Sequence, residues 1–122
     1  MPRTRVVFYC EADGAVPVLQ WFHPLPAKAQ DKCRVRIQRL SEKGHELRRP
    51  EADFLRDGIY ELRVTLQHVN YRILYFFHGR VAAILTQGLT KEDRVPDAAI
   101  EIALARKGIY EQDPKLHTFE ES

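Results

Sequence analysis

The sequence predicts an α+β domain: one N-terminal strand, two helices, a three-strand antiparallel meander and a last helix. The helices are expected to pack on one side of the small sheet. Three observations predict this class. An apolar stripe at helical spacing runs through Ala27 to Lys43. Three strand-like runs then follow one another between Ile59 and Leu89, joined by turn residues. A further helical segment, Ala98 to Lys107, sits between Pro96-Asp97 and Gly108, which have the chemistry of a helix start and a helix stop.

Taken in order, Arg5 to Cys10 is a short β-rich run bounded by Asp13-Gly14. Ala15 to Phe22 predicts a short helix, with Val18, Leu19 and Phe22 on one face. Pro24 and Pro26 end it and permit the next helix to begin. In Ala27 to Lys43 the apolar stripe is Ala29, Cys33, Ile37 and Leu40. Lys28, Lys32, Arg36, Arg39 and Lys43 form an adjacent stripe of positive charge, and Gly44 supplies the C-terminal stop. His45 to Asp57 is charge-dense, carries Pro50 and reads as an irregular connection. In Ile59 to Leu66, Tyr60, Leu62, Val64 and Leu66 alternate with Ile59, Glu61, Arg63 and Thr65, so one face is core and the other polar. Val69 to Phe77 is apolar on both faces apart from Asn70 and Arg72, as a central strand should be. His78-Gly79-Arg80 turns the chain into Val81 to Leu89. The acidic segment after Asp113 is expected to fray, which leaves residues 1–112 as a single domain and 113–122 as a tail.

At 122 residues the chain holds one domain with a modest core. Charged residues make up 30% and hydrophobic ones 44%, which excludes a disordered chain. The formal net charge of +2 points to no particular partner, but its distribution is uneven. Lys28, Lys32, Arg34, Arg36, Arg39, Lys43, Arg48 and Arg49 face only Asp31, Glu42 and Glu46 in the same stretch. Cys10 and Cys33 have no zinc-type spacing and read as reduced, half-buried thiols. With no signal-peptide core and no membrane-length apolar run, the protein is expected in the cytoplasm, away from membranes.

Phosphate-binding glycine loops and the Gly-x-Ser-x-Gly elbow are absent from the sequence. His23, His68 and His117 read as surface loop residues, and no metal or other cofactor is expected. What remains is a set of cations on the meander. Arg63 and Arg72 lie inside strands, and Lys91 and Arg94 follow the last one. RNA supplies a reaction that suits such a set, because its 2′-hydroxyl can attack the adjacent phosphodiester without a metal or a covalent enzyme intermediate. The protein then needs to align the 2′-oxygen with the leaving group, neutralise the phosphorane and move two protons. Arginine suits the second role, since its fork meets two phosphate oxygens at once. Arg63 has a structural alternative, an ion pair with Glu61 or a neighbouring acid. Arg72, in the middle of an aromatic strand, is harder to explain without a partner or a ligand.

Four motifs in order, Gly44-His45-Glu46-Leu47-Arg48, Gly58-Ile59-Tyr60-Glu61-Leu62-Arg63, Tyr71-Arg72-Ile73-Leu74-Tyr75-Phe76 and Leu89-Thr90-Lys91-Glu92-Asp93, resemble the RelE/ParE superfamily of bacterial toxins. The HigB-type, phage-derived branch is the most similar. The resemblance covers nearly the whole chain and implies a RelE-like fold. It also implies a toxin of a type II toxin–antitoxin system that enters the ribosomal A site and cleaves mRNA there. The implied partners are the ribosome, mRNA and a neutralising antitoxin, usually a helix-turn-helix (HigA-like) repressor. By the same resemblance Arg72 matches the transition-state arginine, Arg63 the basic position on the preceding strand and Lys91 the lysine after the third strand, with Arg94 as helper. The proton carriers do not transfer cleanly: Glu61 or Glu51 is a candidate base, and Tyr110 and His117 are candidates from the tail. The stripe Lys28, Lys32, Arg36, Arg39 and Lys43 is the candidate RNA or ribosome contact. The same fold also hosts ParE-like toxins that bind DNA gyrase, and a non-toxic RNA-binding relative is the third alternative.

Overall fold

A computed structural model describes residues 3–80, 82–90 and 93–121. Six strands and three helices follow in the order β1 (Arg5–Tyr9), α1 (Pro17–Phe22), α2 (Ala27–Lys43), β2 (Ala52–Arg56), β3 (Ile59–Leu66), β4 (Val69–His78), β5 (Ala82–Thr90), α3 (Asp97–Gln112) and β6 (Thr118–Phe119). A 3-10 turn, Gly44–Glu46, closes α2. The sheet order is β2-β3-β4-β5-β1-β6. β1 runs parallel to β5 and every other pair is antiparallel. The α+β class, the N-terminal strand, the meander and the three helices are those predicted.

The helices do not share one side of the sheet, as the sequence suggested. α1 and α2 cover one face, where Val18, Phe22, Ala29, Cys33 and Leu40 meet Leu62, Val64, Ile73 and Leu85. α3 covers the other, where Ile100, Ala103 and Tyr110 meet Val7, Ile59, Leu74, Phe76 and Ile84. β4 forces this arrangement. Ile73 and Tyr75 point to one face and Leu74 and Phe76 to the other, and all four are buried, so an uncovered face would leave large apolar side chains in water. The apolar stripe of α2 packs as its periodicity requires, with Ala29, Cys33 and Leu40 fully buried. Both thiols are free and buried, and burial pushes that of Cys33 up to about 11.

Three further local expectations change. The charge-dense connection contains β2, which pairs with β3 through an Asp57-Gly58 turn with positive φ at both residues. That dipeptide favours the tight hairpin turn whose twist matches the strands. The acidic tail does not fray as expected but forms β6, which pairs with β1, and His117 is buried against Tyr9 rather than lying on a surface loop. α3 continues through Gly108 to Gln112, because Tyr110 in the extra turn is buried against Phe76. That contact outweighs the helix penalty of one glycine, about 1 kcal/mol. A Cβ at Gly108 would meet nothing within 4 Å. Gly108→Ala is therefore expected to raise stability by about 0.8–1 kcal/mol, read as a higher denaturant midpoint at unchanged slope.

Candidate functional site

Strand alternation decides which polar side chains meet. On β3, Glu61 and Arg63 share the face of the buried Ile59, toward α3. On β4, Arg72 shares that face with Leu74 and Phe76. The antiparallel register sets Arg63 directly opposite Arg72 and Glu61 opposite Leu74, so Glu61 and Arg72 are diagonal neighbours. Arg72 Nη1 lies 3.4 Å from Glu61 Oε1, with the two side chains only 8% and 6% exposed. The sequence allowed an ion pair between Glu61 and Arg63; the acid pairs with Arg72 instead. The pair is electrostatic rather than a formed hydrogen bond, since Glu61 Oε1 has no hydrogen-bond partner.

Burial pushes the Glu61 carboxyl above its ordinary range, and the charges of Arg72 and Arg63 oppose that push without cancelling it. The pair opens into a cleft of about 300 Å³. β2 and the loop before it supply Arg49, Asp53 and Arg56; the segment entering α3 supplies Arg94, Val95 and Asp97. Two of the arginines are already committed. Arg49 pairs with Asp53 at 2.8 Å, and Arg56 is held by Asp57 at 2.8 Å and Glu101 at 2.6 Å. Among the described residues, no ion pair holds the guanidinium of Arg63 or Arg94. Two cross-strand arginines repel one another, and Glu61 offsets that repulsion only in part.

Of the predicted site residues, Glu61, Arg72 and Arg94 line this cleft and Arg63 sits beside Glu61 on the same face. Lys91 lies outside the described residues. Glu51 belongs to another cluster, accepting both fork bonds of Arg39 at 2.8 and 2.9 Å. Tyr110 and His117 are also elsewhere. Tyr110 packs on Phe76 and His78 and accepts a hydrogen bond from Thr118. The His117 ring stacks on Tyr9 and its Nδ1 lies 2.7 Å from the Cys10 carbonyl oxygen. Neither borders the cleft, which leaves Glu61 as its buried carboxyl.

The basic stripe of α2 has a structural task. β2 stops short of the end of β3 and leaves carbonyls on a free edge. Arg36 Nη1 donates to the Arg63 carbonyl at 2.7 Å, Lys32 Nζ reaches that of Thr65 at 3.5 Å, and Arg39 clamps Glu51. Glu51 in turn accepts a backbone bond from Arg63, so the stripe braces the strand that carries Glu61. Lys28 and Lys43 remain exposed at its two ends.

Sequence reasoning missed Arg49, Asp53, Arg56 and Asp97 as cleft residues. The signal for the first three was Asp57-Gly58, which as a hairpin turn requires a strand before it.

A family model described as Phage derived protein Gp49-like (DUF891) matches residues 20–108. The chain belongs to the Gp49-like family. This Gp49-like family is associated with toxin–antitoxin systems. Every residue lining the cleft falls inside the Gp49-like segment, whereas β1 and β6 lie outside it. No curated protein matches the chain. No helix among the described residues is long and apolar enough to cross a membrane.

Proposed function

We propose that this Gp49-like protein is the toxin of a type II toxin–antitoxin pair, of the HigB-like kind, and cleaves mRNA on the ribosome without a metal. One observation carries the reading: a buried carboxyl paired with a buried arginine, opening into a cleft that holds further arginines. A cation buried in an aromatic strand is costly, and a phosphodiester is a ligand that would justify the cost.

In the proposed reaction the Glu61 carboxylate takes the proton of the RNA 2′-hydroxyl. The 2′-oxygen forms a bond to phosphorus while the bond from phosphorus to the 5′-oxygen breaks. The products are a 2′,3′-cyclic phosphate and a 5′-hydroxyl whose proton comes from water. Arg72 and Arg63 neutralise the charge that grows on the phosphorane, and Arg94 holds the scissile phosphate at the mouth. Lys28 and Lys43 contact ribosomal RNA, and a helix-turn-helix antitoxin covers the toxin when it is inactive.

Induced expression tests this reading: growth should stop, and mRNA ends should map within translated codons. Growth arrest with intact mRNA and damaged DNA would instead indicate a gyrase-directed toxin, and normal growth a non-toxic relative.

The pH dependence has a definite sign. A base works only when deprotonated, and the Glu61 carboxyl titrates above the ordinary carboxylate range. Cleavage should therefore fall as pH drops through that raised value. Glu61→Gln should flatten this acid limb and lower kcat by roughly 10²–10⁴-fold. Because the folded protein holds the Glu61 proton more tightly than the unfolded chain, the associated stability is present below the ordinary carboxylate pKa. It is lost as pH rises through the folded value. Denaturation midpoints should accordingly favour wild type over Glu61→Gln most at the acid end.

A further inference from the structure

A second cleft lies against the first, on the other face of the β2 edge. Its volume is about 380 Å³, within the range that small ligands occupy (roughly 300–1,000 Å³). Arg49, Asp53 and Phe54 line both clefts, so the two adjoin across β2.

The second cleft is built differently from the first: its walls are rings. Phe54 stands edge-on to Tyr60 with centroids 5.1 Å apart, and Tyr60 stacks on Tyr75. His45 lies flat on Phe77 with centroids 3.6 Å apart. Arg48 and Arg49 flank these rings. Phe54 is 53% exposed on the outermost strand of the sheet. A large exposed ring on an edge strand adds to the aggregation risk of that edge. Aromatic faces beside arginines, next to an arginine-lined cleft, match the chemistry of an unpaired nucleotide: base on ring, phosphate on guanidinium.

We infer that the Phe54–Tyr60–His45 cleft is a nucleobase-stacking site, which seats a base of the same RNA strand whose phosphodiester lies between Glu61 and Arg72. The inference rests on the proposed reading of the first cleft and adds the element that positions the strand. Arg49, exposed although paired with Asp53, lines both clefts and sets a positive charge between them.

The test uses the full chain and a short single-stranded RNA carrying 2-aminopurine, whose fluorescence is quenched when its base stacks on an aromatic ring. Wild type is expected to quench the probe. Phe54→Ala should lose the quenching and bind about tenfold or more weakly, as removal of one stacking ring does. Phe54→Trp should retain both, and thermal melts of the two variants establish that each is folded. Equal quenching and affinity in folded Phe54→Ala overturns the inference. So does a Phe54→Ala defect confined to binding the antitoxin, which would make the cleft a protein contact. The two readings fail separately. Phe54-dependent quenching without any mRNA cleavage keeps the stacking site and removes the nuclease, whereas undiminished cleavage at unchanged positions by Phe54→Ala does the reverse.

Discussion

Arg72→Ala is expected to abolish growth arrest and to slow cleavage of translated mRNA by a few hundred-fold. That corresponds to the loss of about 3–4 kcal/mol of transition-state stabilisation. The structure adds a second effect to the same substitution. Arg72 is the near partner of a carboxyl only 6% exposed, whose Oε1 has no hydrogen-bond partner among the described residues. Removing one member of a buried pair destabilises by about 3–5 kcal/mol when the other stays charged. Glu61 escapes part of this by taking a proton, toward which burial already pushes it. Arg72→Ala should thus be both inactive and less stable, with the loss of stability smallest at acid pH.

A paired replacement separates the two effects. Glu61→Leu with Arg72→Met substitutes apolar side chains for the pair, a change that is often neutral or stabilising. The double variant should recover the stability that Arg72→Ala loses and remain inactive. Recovery of cleavage along with stability would reduce the pair to a structural element. Denaturant midpoints and mapped mRNA ends, measured on the same three proteins, decide between these outcomes.

Phe76→Ala is expected to cost about 3–5 kcal/mol, a large part of the roughly 5–15 kcal/mol that holds a domain together. Phe76 is fully buried on the α3 face of the central strand. Tyr110 meets it edge-on with centroids 5.6 Å apart, and Lys107 Nζ lies 5.9 Å from its ring centre. The lost ring leaves a cavity under α3, the helix that brings Asp97 and Ile100 to the cleft. Activity should fall together with stability, and Phe76→Leu should restore most of both. A measured cost below about 1 kcal/mol would mean that α3 settles into the space instead of leaving a cavity.

Much of this molecule can be read from local pattern, because secondary structure follows spacing along the chain. The apolar stripe of α2, the alternation in β3 and the double-faced apolarity of β4 each indicated their element. Double-faced apolarity also implied that both faces of β4 are covered, and here the one-sided packing expected for the helices was inconsistent with the strand itself. β2 was hidden because its charged residues serve the edge of a sheet and the wall of a cleft, which dilutes the period-two signal. The last turn of α3 was hidden by Gly108, a local stop signal that a distant contact with Phe76 overrides.

The candidate site divides along the same line. Arg72 was visible from sequence because an arginine inside an aromatic strand conflicts with its surroundings, and such local conflict singles out a candidate position. Its partner was not visible. Neighbours on one strand suggested Glu61 with Arg63, but the register of β3 against β4 gives Glu61 to Arg72 and leaves Arg63 facing another arginine. The basic stripe on α2 shows the same limit from the other side. Its periodicity was real, yet the free edge of β3 draws Arg36 and Lys32 onto backbone carbonyls and Glu51 takes Arg39.

By itself the sequence determined the α+β class, the element order and the presence of costly cations inside a β-meander, since each depends on residue type and spacing alone. Only the tertiary structure decided that Arg72 pairs with Glu61 in a cleft shared with Arg49, Arg56 and Arg94, and that an aromatic cleft adjoins it across β2. Strand register and the packing of α3 bring residues 49 to 100 together there, and neither leaves a trace in the spacing of any single segment.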